Sequence, residues 1–156
     1  MSVQNRTDFT NYVFVRSGST FTRENETILQ DAARVAPLLK FTVMAQVAAT
    51  KKWVPLTDVA ALDGTNTARG IYVGEDITAA ALVAGDVTVC PILVGFGCTV
   101  DRQLIVLENA LTLDSVCSDD SAGADNGPVN VRRVEDDLVR VGIFAEYTFD
   151  IDRHET

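Results

Sequence analysis

The chain has 156 residues, 47% hydrophobic and 22% charged, with a formal net charge of −9. That length fits one domain with a real core, and that balance argues against wholesale disorder. With 13 Lys and Arg against 22 Asp and Glu there is no basic stripe to release counterions from phosphates, which opposes nucleic-acid binding.

The first 20 residues are polar but carry Phe9, Tyr12, Val13, Phe14 and Val15, a run of high strand propensity. Two readings fit: a first strand of the domain's own sheet, or an extended arm that adds to another protein's sheet. The segment 26–37 is also ambiguous. Thr27 and Gln30 have capping-box spacing, and Ile28, Leu29, Ala32, Ala33 and Val35 could line a short helix ended by Pro37.

Over 41–49 the alternation of Phe41, Val43, Ala45, Val47 and Ala49 predicts a half-buried strand. Thr50-Lys51-Lys52 turns the chain into a return strand, Trp53-Val54-Pro55-Leu56, which Pro55 confines to an edge or an end. Asp63-Gly64 marks a tight turn needing positive φ, and a strand resumes over 70–74. A polar loop with a short helical turn over 75–86 leads to an apolar central strand at 87–94, where Pro91 implies a bulge or a strand end. Gly95-Phe96-Gly97 permits a sharp bend, and 102–107 is a short apolar element of undetermined type.

The stretch 114–128 is an acidic loop of small residues. Its Asp119, Asp120, Asp125 and Asn126 do not follow EF-hand ligand order, so it is read as solvated. Over 129–141 the stripe Val131, Val134, Leu138 and Val141 predicts a helix bounded by Pro128 and Gly142. Arg132, Arg133, Glu135, Asp136, Asp137 and Arg140 would face water. A strand over 143–151 puts Ile143, Ala145, Tyr147, Phe149 and Ile151 on one face; it either completes the domain's sheet or reaches a neighbouring subunit.

Chemistry-bearing motifs are scarce. The single histidine, His154, is the third residue from an end, a poor setting for a triad or a metal site. No P-loop or dinucleotide fingerprint occurs. Cys90, Cys98 and Cys117 are an odd number without zinc-ligand spacing, and they read as reduced thiols, Cys90 as a small core residue. No run reaches transmembrane length, and the N-terminus lacks a signal-peptide core. We therefore expect no enzyme, with no catalytic, cofactor-binding or metal-ligating residue to assign.

The order of several short motifs is more informative than any one of them. Thr22-Arg23-Glu24, Val35-Ala36-Pro37-Leu38, a hairpin, Trp53-Val54-Pro55-Leu56, Ala61-Leu62-Asp63-Gly64-Thr65, Gly70-Ile71-Tyr72-Val73, the strand 87–94 and Leu138-Val139-Arg140-Val141-Gly142-Ile143 succeed one another along the chain. Together they resemble the lambda-type bacteriophage head decoration proteins, over residues 21–145.

The resemblance implies a small single-domain β-rich α+β fold, with an arm at 1–20 and a domain at 21–156 carrying one clear helix near its C-terminus. It favours a strand over 26–29 and tips residues 1–20 toward a capsid-binding arm, with Phe9, Tyr12 and Phe14 as contacts. It implies homotrimers that bind the major capsid protein on the outside of the expanded head and stabilise it against internal DNA pressure. Trp53 and Leu56 are then candidates for the subunit interface. The protein would be made in the bacterial cytoplasm and kept in the virion, with no membrane or nucleic-acid partner. The alternatives are a receptor- or carbohydrate-binding module, which would need aromatics exposed on loops, and a trimeric all-β enzyme, which would need an acid or nucleotide site.

Overall fold

The computed structural model describes residues 14–17, 22–61, 63–95, 97–117 and 132–147. Its strands are β1 (Val15–Ser17), β2 (Thr22–Ile28), β3 (Val43–Gln46), β4 (Trp53–Pro55), β5 (Ala68–Tyr72), β6 (Val87–Leu93), β7 (Cys98–Asp101) and β8 (Ile143–Glu146). Two short helices, α1 (Ala79–Ala84) and α2 (Val134–Arg140), and a 3-10 turn at Arg102–Leu104 complete the described elements. The small β-rich single-domain fold expected from the sequence is what the chain adopts.

Five strands close into a barrel in the order β2-β4-β3-β5-β6, with β6 returning to β2. Every pairing in it is antiparallel except β2 with β4, which meet at Ile28 and Trp53. A second sheet, β1-β7-β8, pairs β1 antiparallel and β8 parallel to β7.

The pleat of β3 divides the interior. Met44 joins Ile28, Trp53, Tyr72 and Ile92 in one cluster, closed by Leu82 of α1. Val43 and Ala45 join Ile71, Leu93, Val100, Val134, Leu138 and Ile143 in the other, between barrel and second layer. Of the strand expected over 41–49 only 43–46 forms: Phe41 precedes it at a φ of 70° and Ala48 and Ala49 are exposed in the following turn. It is buried on both faces, because the side expected to meet solvent, that of Met44, faces the barrel interior.

Polar tips inside the barrel find partners, as burial requires. The Trp53 indole N–H donates to Glu26 Oε2 at 2.8 Å, and the Tyr72 hydroxyl donates to the Glu75 carbonyl at 2.5 Å. Desolvation, reinforced by nearby negative groups, pushes the Tyr72 phenol up to about 12. All three cysteines are free and buried, and burial raises each thiol.

Several local expectations need correction. Residues 26–37 form no helix: Thr27 and Ile28 belong to β2, and Gln30 instead donates its side-chain amide to the Val83 carbonyl at the end of α1. The β2–β6 register is irregular between Arg23–Ile92 and Glu26–Cys90, a step that spans Pro91 as expected, and again between Glu26–Cys90 and Ile28–Val87, where Val89 has a φ of 58° that is costly for a β-branched residue. The helix expected over 129–141 is α2, which begins at Val134, residues 129–131 lying outside the described residues, and it ends where Gly142 takes a φ of 81° and its N–H bonds Val139 O at 2.9 Å. Asp137 does not face water. The strand over 143–151 is seen as β8 to Glu146, and its remaining positions 148–151 lie outside the described residues.

The barrel tolerates no extra atom where β5 passes β6. A Cβ on Gly70 would lie 2.7 Å from Ile92 Cγ2 and 2.9 Å from the Leu93 carbonyl oxygen. Gly70→Ala is expected to cost about 2 kcal/mol, read as a lower urea midpoint at unchanged slope.

Candidate interaction surface

Phe14, expected in the arm, is instead 1% exposed and stacks on Phe41 with ring centroids 4.0 Å apart. β1, immediately after it, pairs with β7, so Phe14 and residues 15–17 belong to the folded domain. Phe9 and Tyr12 lie outside the described residues. Trp53 is 2% exposed and Leu56 is fully buried, one in each core cluster, so neither offers a surface to a second subunit. Apolar bulk in short strands is what the two cores consume first, which is why these residues turned inward.

Among the described residues, an articulated surface is built by two stretches that the sequence left undetermined in type, 31–39 and 102–114. Residues 105–107 lie beside the start of β3: the Val43 N–H donates to Val106 O at 2.9 Å, and the Val106 N–H donates to Phe41 O at 3.0 Å. On one side, the loop 31–39 and residues 106–109 enclose a groove of about 510 Å³. On the other, residues 102–107, 111–114 and Tyr147 enclose one of about 680 Å³. Val106 and Leu107 form the ridge between them.

Arg34 fixes the first groove. Its guanidinium forks onto both carboxylate oxygens of Glu108, one at 2.6 Å, while Nε and Nη2 donate to the carbonyls of Ala36 and Pro37 at 2.7 and 3.0 Å. A planar five-donor group matches this arrangement, and the pair is largely shielded from water. The staple displays Val35, 94% exposed, at the loop's crest. In sequence Val35 could line the buried side of a short helix ended by Pro37, and nothing local linked Arg34 to a glutamate 74 positions away.

A second polar device closes the base of the acidic loop. The Cys117 N–H donates to Arg132 O at 2.8 Å, joining the two ends of the segment 118–131. Beneath them Asp137, 1% exposed, lies 3.3 Å from Arg132 Nε and 3.9 Å from Arg140 Nη1, with the Cys117 thiol 3.8 Å from its other oxygen. Desolvation outweighs these cations and holds the Asp137 carboxyl above the usual carboxylate range.

Among the described residues no group of three or more His, Cys, Asp or Glu is placed to hold a metal, and no helix is long and apolar enough to cross a membrane. No family model, curated protein or solved structure matches the chain.

Both polar devices can be tested by substitution. Arg34→Ala strands Glu108 and releases two loop carbonyls, and is expected to cost about 2 kcal/mol by urea denaturation. For Asp137 the folded carboxyl binds its proton more tightly than the unfolded one. Its contribution to stability is therefore greatest below the unfolded value of about 4 and falls as pH rises through the raised folded value. The wild-type-minus-Asp137→Asn difference in unfolding free energy is expected to shrink with rising pH over that window, measured by melts at each pH.

Proposed function

We propose that the protein is a non-enzymatic decoration protein that binds the outer surface of an expanded phage head as trimers, contacts the major capsid protein and holds neighbouring capsomers together. The observation that carries this reading is where the resembling motifs fall. Thr22-Arg23-Glu24 opens β2, Trp53-Val54-Pro55 is β4, Gly70-Ile71-Tyr72 ends β5, and 87–93 is β6. The Asp63-Gly64-Thr65 turn sits against β3, with Asp63 O accepting from the Ala48 N–H at 3.0 Å. These motifs thus meet in one closed barrel, while Val35-Ala36-Pro37-Leu38 falls between β2 and β3 and Leu138-Val139-Arg140-Val141-Gly142-Ile143 joins α2 to β8 of the second sheet.

The charge supports the same reading. A net charge of −9 repels packaged DNA and suits a protein crowded at many copies on the outside of a shell. With Phe14, Trp53 and Leu56 committed to the cores, Phe9 and Tyr12 are the shell contacts that remain from the N-terminal stretch. Holding a shell this way depends on modest contacts repeated over many tethered copies rather than on a single hot residue.

The test is co-sedimentation of the purified protein with expanded and unexpanded capsids that lack it. Saturable binding to expanded shells alone, in multiples of three per local threefold, is expected; binding to neither form discards the reading. Removal of residues 1–12, which leaves Phe14 and β1 in place, is expected to preserve the melting temperature within about 2 °C while abolishing sedimentation with shells.

A further inference from the structure

The carboxylate of Asp137 joins three parts of the molecule. It stands on α2, the Ala68 N–H of β5 bonds it from the barrel, and the Cys117 thiol meets it at 3.8 Å from the stretch before the acidic loop. Arg132 Nε and Arg140 Nη1 lie 3.3 and 3.9 Å from Oδ1. Yet Oδ1 accepts no hydrogen bond, and the side chain is fully buried. The other charges on the elements packed around it are turned elsewhere. On and before α2, Asp136 accepts from the Arg133 N–H, Glu135 is bound to Arg102, and the Arg133 guanidinium faces Asp114. Arg69 of β5 and Glu146 of β8 are exposed.

The site is closed by a backbone clasp. The Cys117 N–H donates to Arg132 O at 2.8 Å, the Val134 N–H donates to Ser115 O at 3.1 Å, and Val116 bridges to Arg133. Ala68 belongs to the barrel wall, and Arg140 already stands in solvent with its side chain 68% exposed. The part free to give way is therefore the clasp, where Cys117 and Arg132 cover the carboxylate. A buried anion whose cations do not align with it is costly, and the neutral acid costs far less. Desolvation accordingly holds this carboxyl above the ordinary carboxylate range.

We propose that Asp137 is a proton-operated latch on this clasp: its neutral form leaves 115–117 joined to 132–134, and its ionised form draws water between them while the barrel stays intact. Loss of the proton to solvent creates an anion that gains hydration only by parting Arg132 from Cys117. β5 does not follow, because its register with β3 and β6 is independent of the clasp. The spacing of residues 117 and 132 is thereby set by pH, closed below and looser above. The inference does not depend on the decoration reading.

Amide hydrogen exchange tests it, read residue by residue from about pH 4 to about pH 8 in the full chain and in Asp137→Asn, each rate divided by its intrinsic rate. The Cys117 and Val134 amides report the clasp, and the Tyr72 amide, bonded to Thr42 O at 2.9 Å, reports the barrel. The expected result is at least about threefold loss of protection at Cys117 and Val134 as pH rises, with Tyr72 unchanged and Asp137→Asn flat. Constant protection in the wild type overturns the proposal, and so does a loss shared by Asp137→Asn, whose cause is then another group. A loss shared by Tyr72 also overturns it, since the whole domain is then opening. If Asp137→Asn fails to fold, the carboxyl carbon signal of Asp137 in the wild type decides. Loss of protection that levels off where that signal titrates supports the latch, and loss that continues past it overturns the latch.

Discussion

Strand β3 has no solvent face, and the rest of the molecule depends on that. Val43 and Ala45 point into one core and Met44 into the other, so a slip of one residue would exchange the two sets and empty both. The register is held on one side by β4, on the other by β5, and by the backbone bonds of residues 105–107 at its start. Because a four-residue strand is the shared wall of two cores, its neighbours cannot shift independently. This explains how strands of three to seven residues hold a closed barrel.

The barrel interior is filled by side chains: Met44, Trp53, Tyr72, Ile92 and Ile28, with Leu82 closing it. A barrel of this size holds a packed core rather than a ligand, so recognition falls to its outside, where the loops lie. The loops are set by charge. Arg34 gathers Glu108 and two carbonyls around one guanidinium, and Asp137 sits beneath the join between Cys117 and Arg132. Both arrangements bury charge for shape. Such a group is a poor source of stability but leaves the loop few alternative conformations, since every other position strands an ion or a carbonyl.

Elements were legible in the sequence where their signals are local. Strands β3 to β6 were visible through alternation and through turn residues whose backbone demands are strict, as at Gly64 with its φ of 91°. β2 was expected only over 26–29, and only through the resemblance, because its residues 22–27 are polar or charged and its identity as a strand comes from pairing with β6 some sixty positions away. Asp137 was misjudged for a related reason. Its position, three after Val134 and four before Val141, belongs to the buried stripe of α2, but its residue type argued for water, and only Arg132 and Arg140 reconcile the two. The candidate contact residues failed by the opposite route. Phe14, Trp53 and Leu56 have the bulk that interfaces favour, and a small domain with two cores needs that bulk inside.

The same economy shapes the surface. With the largest side chains spent on the interior, the exposed apolar groups among the described residues are mostly isolated aliphatics such as Val35 and Val89, with Phe144 and Tyr147 on or just after β8. Scattered valines bind weakly one at a time. Affinity from such a surface has to come from backbone pairing at strand edges, from segments that fold onto a groove, or from many copies acting together. The sheet order β1-β7-β8 puts β1 and β8, the strands adjoining the two terminal segments, at its ends. The parts best able to make extended contacts are thus concentrated on the second sheet, while the barrel, closed on itself, serves as the rigid body that carries them.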